Sequence, residues 1–121
     1  MKRKVLGAAI GQCVHIAGLD HFLRRCEQEG WCALSLGPAV PPSALLAAVE
    51  VEKPSMVAVS FRLTADDAVP LFRQLQLGTV TLSAPPPQWV FGGTPPVAEK
   101  ARECGLFARV FDGTEDMDDV V

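Results

Sequence analysis

The segment Ile10-Gly11-Gln12-Cys13-Val14-His15-Ile16-Ala17-Gly18 separates two stretches of different periodicity. Val5 to Ile10, which leads into this segment, is apolar throughout, which is typical of a central parallel strand covered on both faces. After it, Leu19 to Glu29 carries apolar residues at helical spacing, which predicts an amphipathic helix. The pattern therefore places His15 on a loop at the carboxyl end of a strand, where open α/β sheets bind ligands and where an imidazole can reach a metal or cofactor.

The rest of the chain repeats this alternation of strand and helix. Further strands are predicted at Trp31 to Leu36, Met56 to Ser60, Trp89 to Phe91 and Phe107 to Phe111. Further helices are predicted at Ala44 to Val51, Ala65 to Gln76 and Val97 to Cys104, with Ser43 and Thr64 as the N-caps of the first two. Val80 to Ser83 also looks extended, and whether it forms a separate strand is left open.

This alternation predicts an α/β, flavodoxin-like (Rossmann-like) fold, with a five-stranded parallel sheet and helices on both faces. The sequence contains no internal repeat and no linker. We therefore expect residues 1–121 to form a single domain.

Composition and charge limit the possible partners. The net charge is −3 with 11 basic residues, which argues against nucleic acid, since phosphate binding needs a clustered basic face. No apolar run reaches membrane-spanning length, and a short basic start is not followed by an uninterrupted signal-peptide core. The four cysteines, Cys13, Cys26, Cys32 and Cys104, form no C-x-x-C pair. We expect a cytoplasmic protein with reduced cysteines and no membrane partner.

Candidate binding residues follow the predicted strands, where parallel sheets collect their chemistry. They are Gln12, Cys13 and His15 after the first strand, Ser60, Arg62, Leu63 and Thr64 after the third, Gly92, Gly93 and Thr94 after the fourth, and Asp112, Gly113 and Thr114 after the last. Adjacent glycines let a backbone lie against a flat ligand without a Cβ in the way, although taken alone Gly92-Gly93 is more simply explained as a turn.

Several uses of such a fold are excluded by these same positions. A phosphorelay receiver needs an aspartate after the third strand, where this chain has Ser60. A flavodoxin needs a hydroxyl-rich phosphate loop, but residues 11–18 contain neither serine nor threonine. The G-x-G-x-x-G dinucleotide fingerprint is also absent. A Cys13–His15 nucleophile or soft-metal site remains a minor alternative.

Three motifs in order resemble the signature of the cobalamin-binding domain shared by methionine synthase, corrinoid methyl-carrier proteins and the small subunits of adenosylcobalamin mutases. That signature is Asp-x-His-x-x-Gly, then Ser-x-Leu, then Gly-Gly. Here His15-Ile16-Ala17-Gly18 supplies the His-x-x-Gly, Ser60-Phe61-Arg62 stands where Ser-x-Leu is expected, and Gly92-Gly93 supplies the last motif. The resemblance extends over nearly the whole chain.

The resemblance implies a base-off, histidine-on cofactor, in which a protein histidine replaces the cofactor's own base on cobalt. His15 would then be the lower ligand of the metal, and Ser60 would hydrogen-bond the base of the displaced nucleotide tail. Gly92 and Gly93 would allow the tail to approach, and Gly18 would let the following helix start beside it. Leu63, Thr64 and Thr94 belong to the same loops and are included as cofactor-binding candidates.

Two positions depart from the signature. The aspartate is Cys13 here, and a thiol is a much weaker hydrogen-bond acceptor for the histidine. Gln12 is adjacent, and its amide oxygen is a candidate substitute. The leucine is Arg62, so either a one-residue shift brings Leu63 into its place, or Arg62 meets the cofactor phosphate.

The resemblance favours a cofactor-carrying subunit or domain of a corrinoid-dependent mutase or methyltransferase, loaded with methyl- or adenosylcobalamin. The chain offers no paired carboxylates and no nucleophile with a base, so a catalytic partner subunit is expected to supply the substrate site. The alternatives are a non-enzymatic corrinoid carrier or sensor, and a degenerate domain that has lost the cofactor and serves in protein interaction. A homodimer is left open.

Overall fold

The computed structural model describes residues 3–113, in which strands and helices alternate from start to end. The strands are β1 (Lys4–Ala9), β2 (Cys32–Ser35), β3 (Met56–Phe61), β4 (Gln88–Gly93) and β5 (Arg109–Phe111). The helices are α1 (Ala17–Gln28), α2 (Pro42–Glu52), α3 (Ala65–Thr79) and α4 (Pro95–Cys104). The strands form one parallel sheet in the order β2-β1-β3-β4-β5. The predicted flavodoxin-like fold is therefore confirmed.

Helices cover both faces of the sheet, but unequally. Of the helices within residues 3–113, only α1 packs on one face, where its apolar side contacts Val5, Ala58 and Val90. On the other face α2, α3 and α4 pack together over the larger core, which is built around Phe72, Phe91 and other buried residues. Because side chains alternate along a strand, neighbouring residues of β3 and β4 face different helices. This alternation decides which strand-end residues face α1.

One of the two predicted N-caps is present in the structure. Thr64 caps α3 as predicted, because its hydroxyl oxygen accepts a hydrogen bond from the Asp67 N–H at 3.2 Å. Ser43 is not an N-cap: α2 begins one residue earlier at Pro42, with Pro41 in the capping position. Proline suits a first helical position, since the N–H that it lacks would have no partner there.

The segment from Val80 to Ser83 is not a strand. Val80 ends α3, and the Thr81 hydroxyl donates a hydrogen bond to the Gly78 carbonyl at 2.8 Å. That bond satisfies a carbonyl at the end of the helix, and it turns the chain away from the sheet. The β-branched residues that suggested an extended strand therefore belong to a helix terminus.

The two glycines lie inside β4 rather than in a turn after it. Gly92 pairs in register with Ser60, and Gly93 pairs with Phe61. Thr114 and the acidic end of the chain lie outside the described residues. Within residues 3–113, no helix combines the length and apolar character that crossing a bilayer requires.

Candidate functional site

The loop between β1 and α1 is held against the end of β3. The Ile10 N–H donates to the Ser60 carbonyl at 3.1 Å, and the Gly11 N–H donates to the Val40 carbonyl at 2.9 Å. Gly11 has a φ of +65°, and a Cβ there would lie only 2.7 Å from a methyl carbon of Leu71. The left-handed backbone conformation favours glycine at this position, and a larger residue would also have to displace the Leu71 methyl group. The loop that carries Cys13 and His15 therefore starts from a well-defined point.

Cys13 links the histidine loop to the loop after β3. Its side chain is fully buried, and its Sγ lies 3.8 Å from Nδ1 of His15. The backbone N–H of Arg62 donates to the same sulfur at 3.4 Å. The thiol thus occupies the position that the resemblance gives to a carboxylate, and it contacts the ring nitrogen that such a carboxylate would contact.

His15 itself is exposed, and its Nε2 has no hydrogen-bond partner within residues 3–113. A proton on Nδ1 that points at sulfur leaves the Nε2 lone pair free to bind a metal. Gln12 does not supply the alternative acceptor: it is exposed, and its side chain has no hydrogen bond to any described residue. The arrangement at the histidine is therefore a sulfur–imidazole pair.

A cavity of about 140 Å³ lies between α1 and the carboxyl-terminal halves of β3 and β4. It brings together four of the predicted site residues, namely Gly18, Ser60, Gly92 and Gly93. Its walls are mostly apolar. The residues that line it besides those four are Leu19, Phe22, Ala58, Val59, Arg62, Val90, Phe91, Phe111 and Gly113.

Ser60 is a buried polar residue in this apolar setting. Only 7% of its surface is exposed, and its hydroxyl makes no hydrogen bond within residues 3–113. The hydroxyl oxygen itself is not enclosed, so it is accessible from the cavity and free to hydrogen-bond an occupant. Ser60 therefore supplies one directional polar contact to whatever occupies the cavity.

Three of the four glycines that line the cavity have different roles. A Cβ added at Gly18 or Gly92 would have no atom within 4 Å, so both positions border open space. A Cβ at Gly93 would collide with the Phe61 carbonyl oxygen and would lie 2.9 Å from the Phe91 ring. Gly92 thus keeps the cavity open, whereas Gly93 is required for the packing of β4 on β3.

All six of the other predicted cofactor-binding residues lie outside the cavity lining: Gln12, Cys13, His15, Leu63, Thr64 and Thr94. Leu63 is 37% exposed, and Arg62 rather than Leu63 reaches the cavity, so the one-residue shift does not occur. Thr64 is engaged in capping α3, and Thr94 is at the N-cap position of α4 without a side-chain cap bond. The apolar wall residues were not among the predicted site residues. Two sequence patterns could have identified them. One is the helical spacing of Leu19 and Phe22, and the other is the strand alternation that places Val90 on the same face as Gly92.

The side chains available as metal ligands suit a metal that is already coordinated by a cofactor. Among the described residues, no group of three or more His, Cys, Asp or Glu side chains could hold an ion. A structural zinc site, which needs about four protein ligands, does not match this arrangement. A metal held in a tetrapyrrole-like macrocycle needs only an axial ligand from the protein, and one exposed imidazole is sufficient for that.

The fold is similar to that of a cobalamin-binding protein from Desulfitobacterium hafniense DCB-2, whose crystal structure was determined at 1.5 Å. The two structures align over 98% of this chain, with a TM-score of 0.77 and 21% identical residues. The chain covers 56% of that protein's length. No protein-family model and no curated protein matches the sequence. The chain therefore shares its flavodoxin-like fold with a cobalamin-binding protein, in line with the resemblance of its motifs.

Proposed function

We propose that this chain binds cobalamin with the cofactor's own base displaced from cobalt and with His15 as the lower ligand. The observation that supports this best is the state of the imidazole. His15 is exposed, Nδ1 contacts Cys13, and Nε2 is unpaired within residues 3–113. This is how a protein prepares a histidine for a metal, because the contact at one ring nitrogen orients the other.

The cavity supports the second half of the proposal, in which the displaced nucleotide tail enters the domain. Leu19, Phe22 and Val90 offer apolar walls to a flat aromatic base. The Ser60 hydroxyl, which lacks a partner among the described residues, can hydrogen-bond a nitrogen of that base. Gly92 leaves space where any larger residue would place a side chain. Cobalamin is accordingly the ligand class that uses both the histidine and the cavity.

The chain would act as the cofactor-carrying subunit or domain of a corrinoid-dependent mutase or methyltransferase. Bound cobalamin supplies a cobalt–carbon bond, either for radical rearrangement or for methyl transfer. This chain orients the cobalt through His15 and removes the tail from solvent, and a catalytic partner provides the substrate site. A non-enzymatic carrier or sensor would use the same residues. A regulator or transporter as the physiological partner would favour that alternative.

The histidine assignment can be tested by spectroscopy on the purified protein. We expect hydroxocobalamin to give a base-off, histidine-ligated absorption spectrum with the wild type and with His21→Ala. His21 is the matched control, because it is the other histidine of the chain and is also exposed. His15→Ala should lose that spectrum.

A second measurement identifies the ligating nitrogen. After reduction to Co(II), the electron paramagnetic resonance spectrum should show splitting from one nitrogen nucleus. This splitting should change when the protein carries ¹⁵N-labelled histidine, because the nitrogen then belongs to the protein. Unchanged splitting would show that the cofactor's own base is still on cobalt. An absence of any spectral change on mixing would favour a degenerate domain that has lost the cofactor.

A further inference from the structure

A cationic side chain, Arg62, lies at the otherwise uncharged cavity. Arg62 is the only charged residue among those that line it within residues 3–113. Its backbone is anchored, because its N–H donates to the buried Cys13 sulfur. Its side chain is exposed, so the guanidinium is accessible at the rim rather than enclosed in the core. An apolar cavity with one cation at its rim suits a ligand with an aromatic body and one anionic group.

Within residues 3–113, the Arg62 guanidinium has no acidic partner. It forms no ion pair with any carboxylate of residues 3–113, where an ion pair requires a separation of 4.0 Å or less. Two other arginines, in contrast, pair with carboxylates: Arg25 with Glu29 at 3.3 Å, and Arg102 with Asp112 at 3.4 Å. An unpaired guanidinium beside a cavity retains its full capacity to bind an oxyanion, and its planar shape favours two parallel hydrogen bonds to a phosphate.

The opposite wall of the cavity includes the start of α1, whose first turn also carries Asp20. The α1 helix begins at Ala17, and no side chain caps its first turn. Gly18, the second residue of α1, lines the cavity. Uncapped N–H groups at a helix start carry partial positive charge and are available as donors. Ser60, which is buried and unpaired among the described residues, lies on the same cavity and can contact the part of the ligand that goes deeper.

We propose that Arg62 is a specificity-determining residue that binds the phosphodiester of the cobalamin nucleotide tail. The inference rests on the proposed function and deepens it. The base occupies the cavity, and the phosphate that joins its ribose to the corrin lies at the rim beside Arg62. Arg62 therefore adds to the preference of the site for complete cobalamins over corrinoids that lack the nucleotide tail. The leucine of the resembling signature offers no such contact, so this phosphate contact is a property of this chain.

The test compares two corrinoids on matched variants. Cobalamin carries the tail phosphodiester, and cobinamide lacks the nucleotide tail. Arg62→Leu removes the charge and restores the residue of the signature, and Arg62→Lys keeps the charge without the planar fork. Arg24→Leu is the control, because Arg24 is exposed on α1 and its loss changes the net charge by the same amount. Dissociation constants are measured by isothermal titration calorimetry, and thermal unfolding confirms that each variant is folded.

We expect Arg62→Leu to weaken cobalamin binding by roughly 5–20-fold, the range for one charged hydrogen-bonded contact that is partly open to solvent. Arg62→Lys should lose less, and Arg24→Leu should bind like the wild type. Cobinamide binding should be the same for the wild type and Arg62→Leu. Raising the salt concentration should weaken cobalamin binding to the wild type more than to Arg62→Leu, because salt screens the lost contact.

Two results would overturn the inference while leaving cobalamin binding intact. One is equal affinity of the wild type and Arg62→Leu for cobalamin. The other is the same loss for cobalamin and cobinamide, since Arg62 would then act on the histidine loop through the hydrogen bond of its N–H to Cys13. If the wild type bound no cobalamin at all, the proposed function would fail, and this inference would fail with it. The two kinds of failure are therefore distinguishable.

Discussion

Replacing Gly92 with leucine should stabilise the protein and abolish cobalamin binding at the same time. Gly92 lines the cavity, and a Cβ there would have no atom within 4 Å. A leucine side chain at this position would extend into a space of about 140 Å³ and take up much of it. The same substitution thus fills an empty apolar cavity and blocks the place proposed for the nucleotide tail.

The expected gain in stability has two sources. Complete burial of a leucine side chain contributes about 1.5–3 kcal/mol, and a cavity that is partly open to solvent should yield roughly half of that. Replacing a strand glycine removes a further cost of about 0.5–1 kcal/mol in backbone entropy. The sum is about 1–2.5 kcal/mol, which corresponds to a rise in Tm of roughly 4–10 °C for a domain of this size.

The neighbouring glycine provides the contrasting variant. Gly93→Ala places a Cβ against the Phe61 carbonyl oxygen and the Phe91 ring. Because the carbonyl belongs to the paired β3 backbone, it cannot move aside without disturbing the sheet. We expect a loss of about 1–3 kcal/mol, as for other overpacked sites. Gly92→Ala, which adds the smallest group, should be as stable as the wild type or slightly more stable.

The assay combines thermal unfolding by circular dichroism with titration of cobalamin followed by absorbance. Gly92→Leu should melt above the wild type and bind at least ~100-fold more weakly, since a blocked cavity forfeits the apolar contacts of the base. A Gly92→Leu protein that is stable and binds cobalamin as the wild type does would refute the reasoning. The tail would then lie elsewhere, and the cavity between α1 and the sheet would have no part in binding.

Two further predictions follow from side-chain contacts. Cys13→Asp should tighten cobalamin binding by roughly 10–100-fold. The reason is that a carboxylate at this point would accept hydrogen bonds from both the His15 ring and the Arg62 N–H. Equal or weaker binding in the titration would show that the site is not built around a carboxylate that bonds the histidine. The pKa of Glu50 is lowered by a hydrogen bond from the Ser83 hydroxyl and further by the Ser83 and Ala84 N–H groups. A carboxyl group whose pKa is lower in the folded state stabilises the protein at pH values above the usual glutamate pKa of about 4.3. This stabilisation is lost as the pH falls through the folded-state pKa. Glu50→Gln should therefore have a lower Tm than the wild type at neutral pH, and this difference in Tm should shrink on acidification. A difference in Tm that stays constant down to roughly pH 3, below the unfolded-state pKa, would contradict this expectation.

Local sequence was sufficient to predict the alternation of elements and the edge of the sheet that carries the site. The apolar residues of β1, the helical spacing in α1 and the Thr64 cap each depend on neighbours within a few positions. Such short-range patterns reflect backbone sterics and one-sided burial, which do not depend on how the rest of the chain folds. The segment after α3 was the exception, because a β-branched residue that caps a helix end resembles a strand until its hydrogen bonds are known.

The sequence alone therefore determined the fold class and the strand-end loops from which a binding site had to be built. Only the tertiary structure decided which residues of those loops meet. The order of the strands brings Gly18, Ser60 and Gly92 to one cavity, and the register turns Gly92 toward α1 and Gly93 toward the opposite core. The same packing places Arg62 at the cavity and the Cys13 sulfur beside His15. The physical reason is that the direction and surroundings of a side chain depend on which strands pair and in which register, and residues far apart along the chain make that choice.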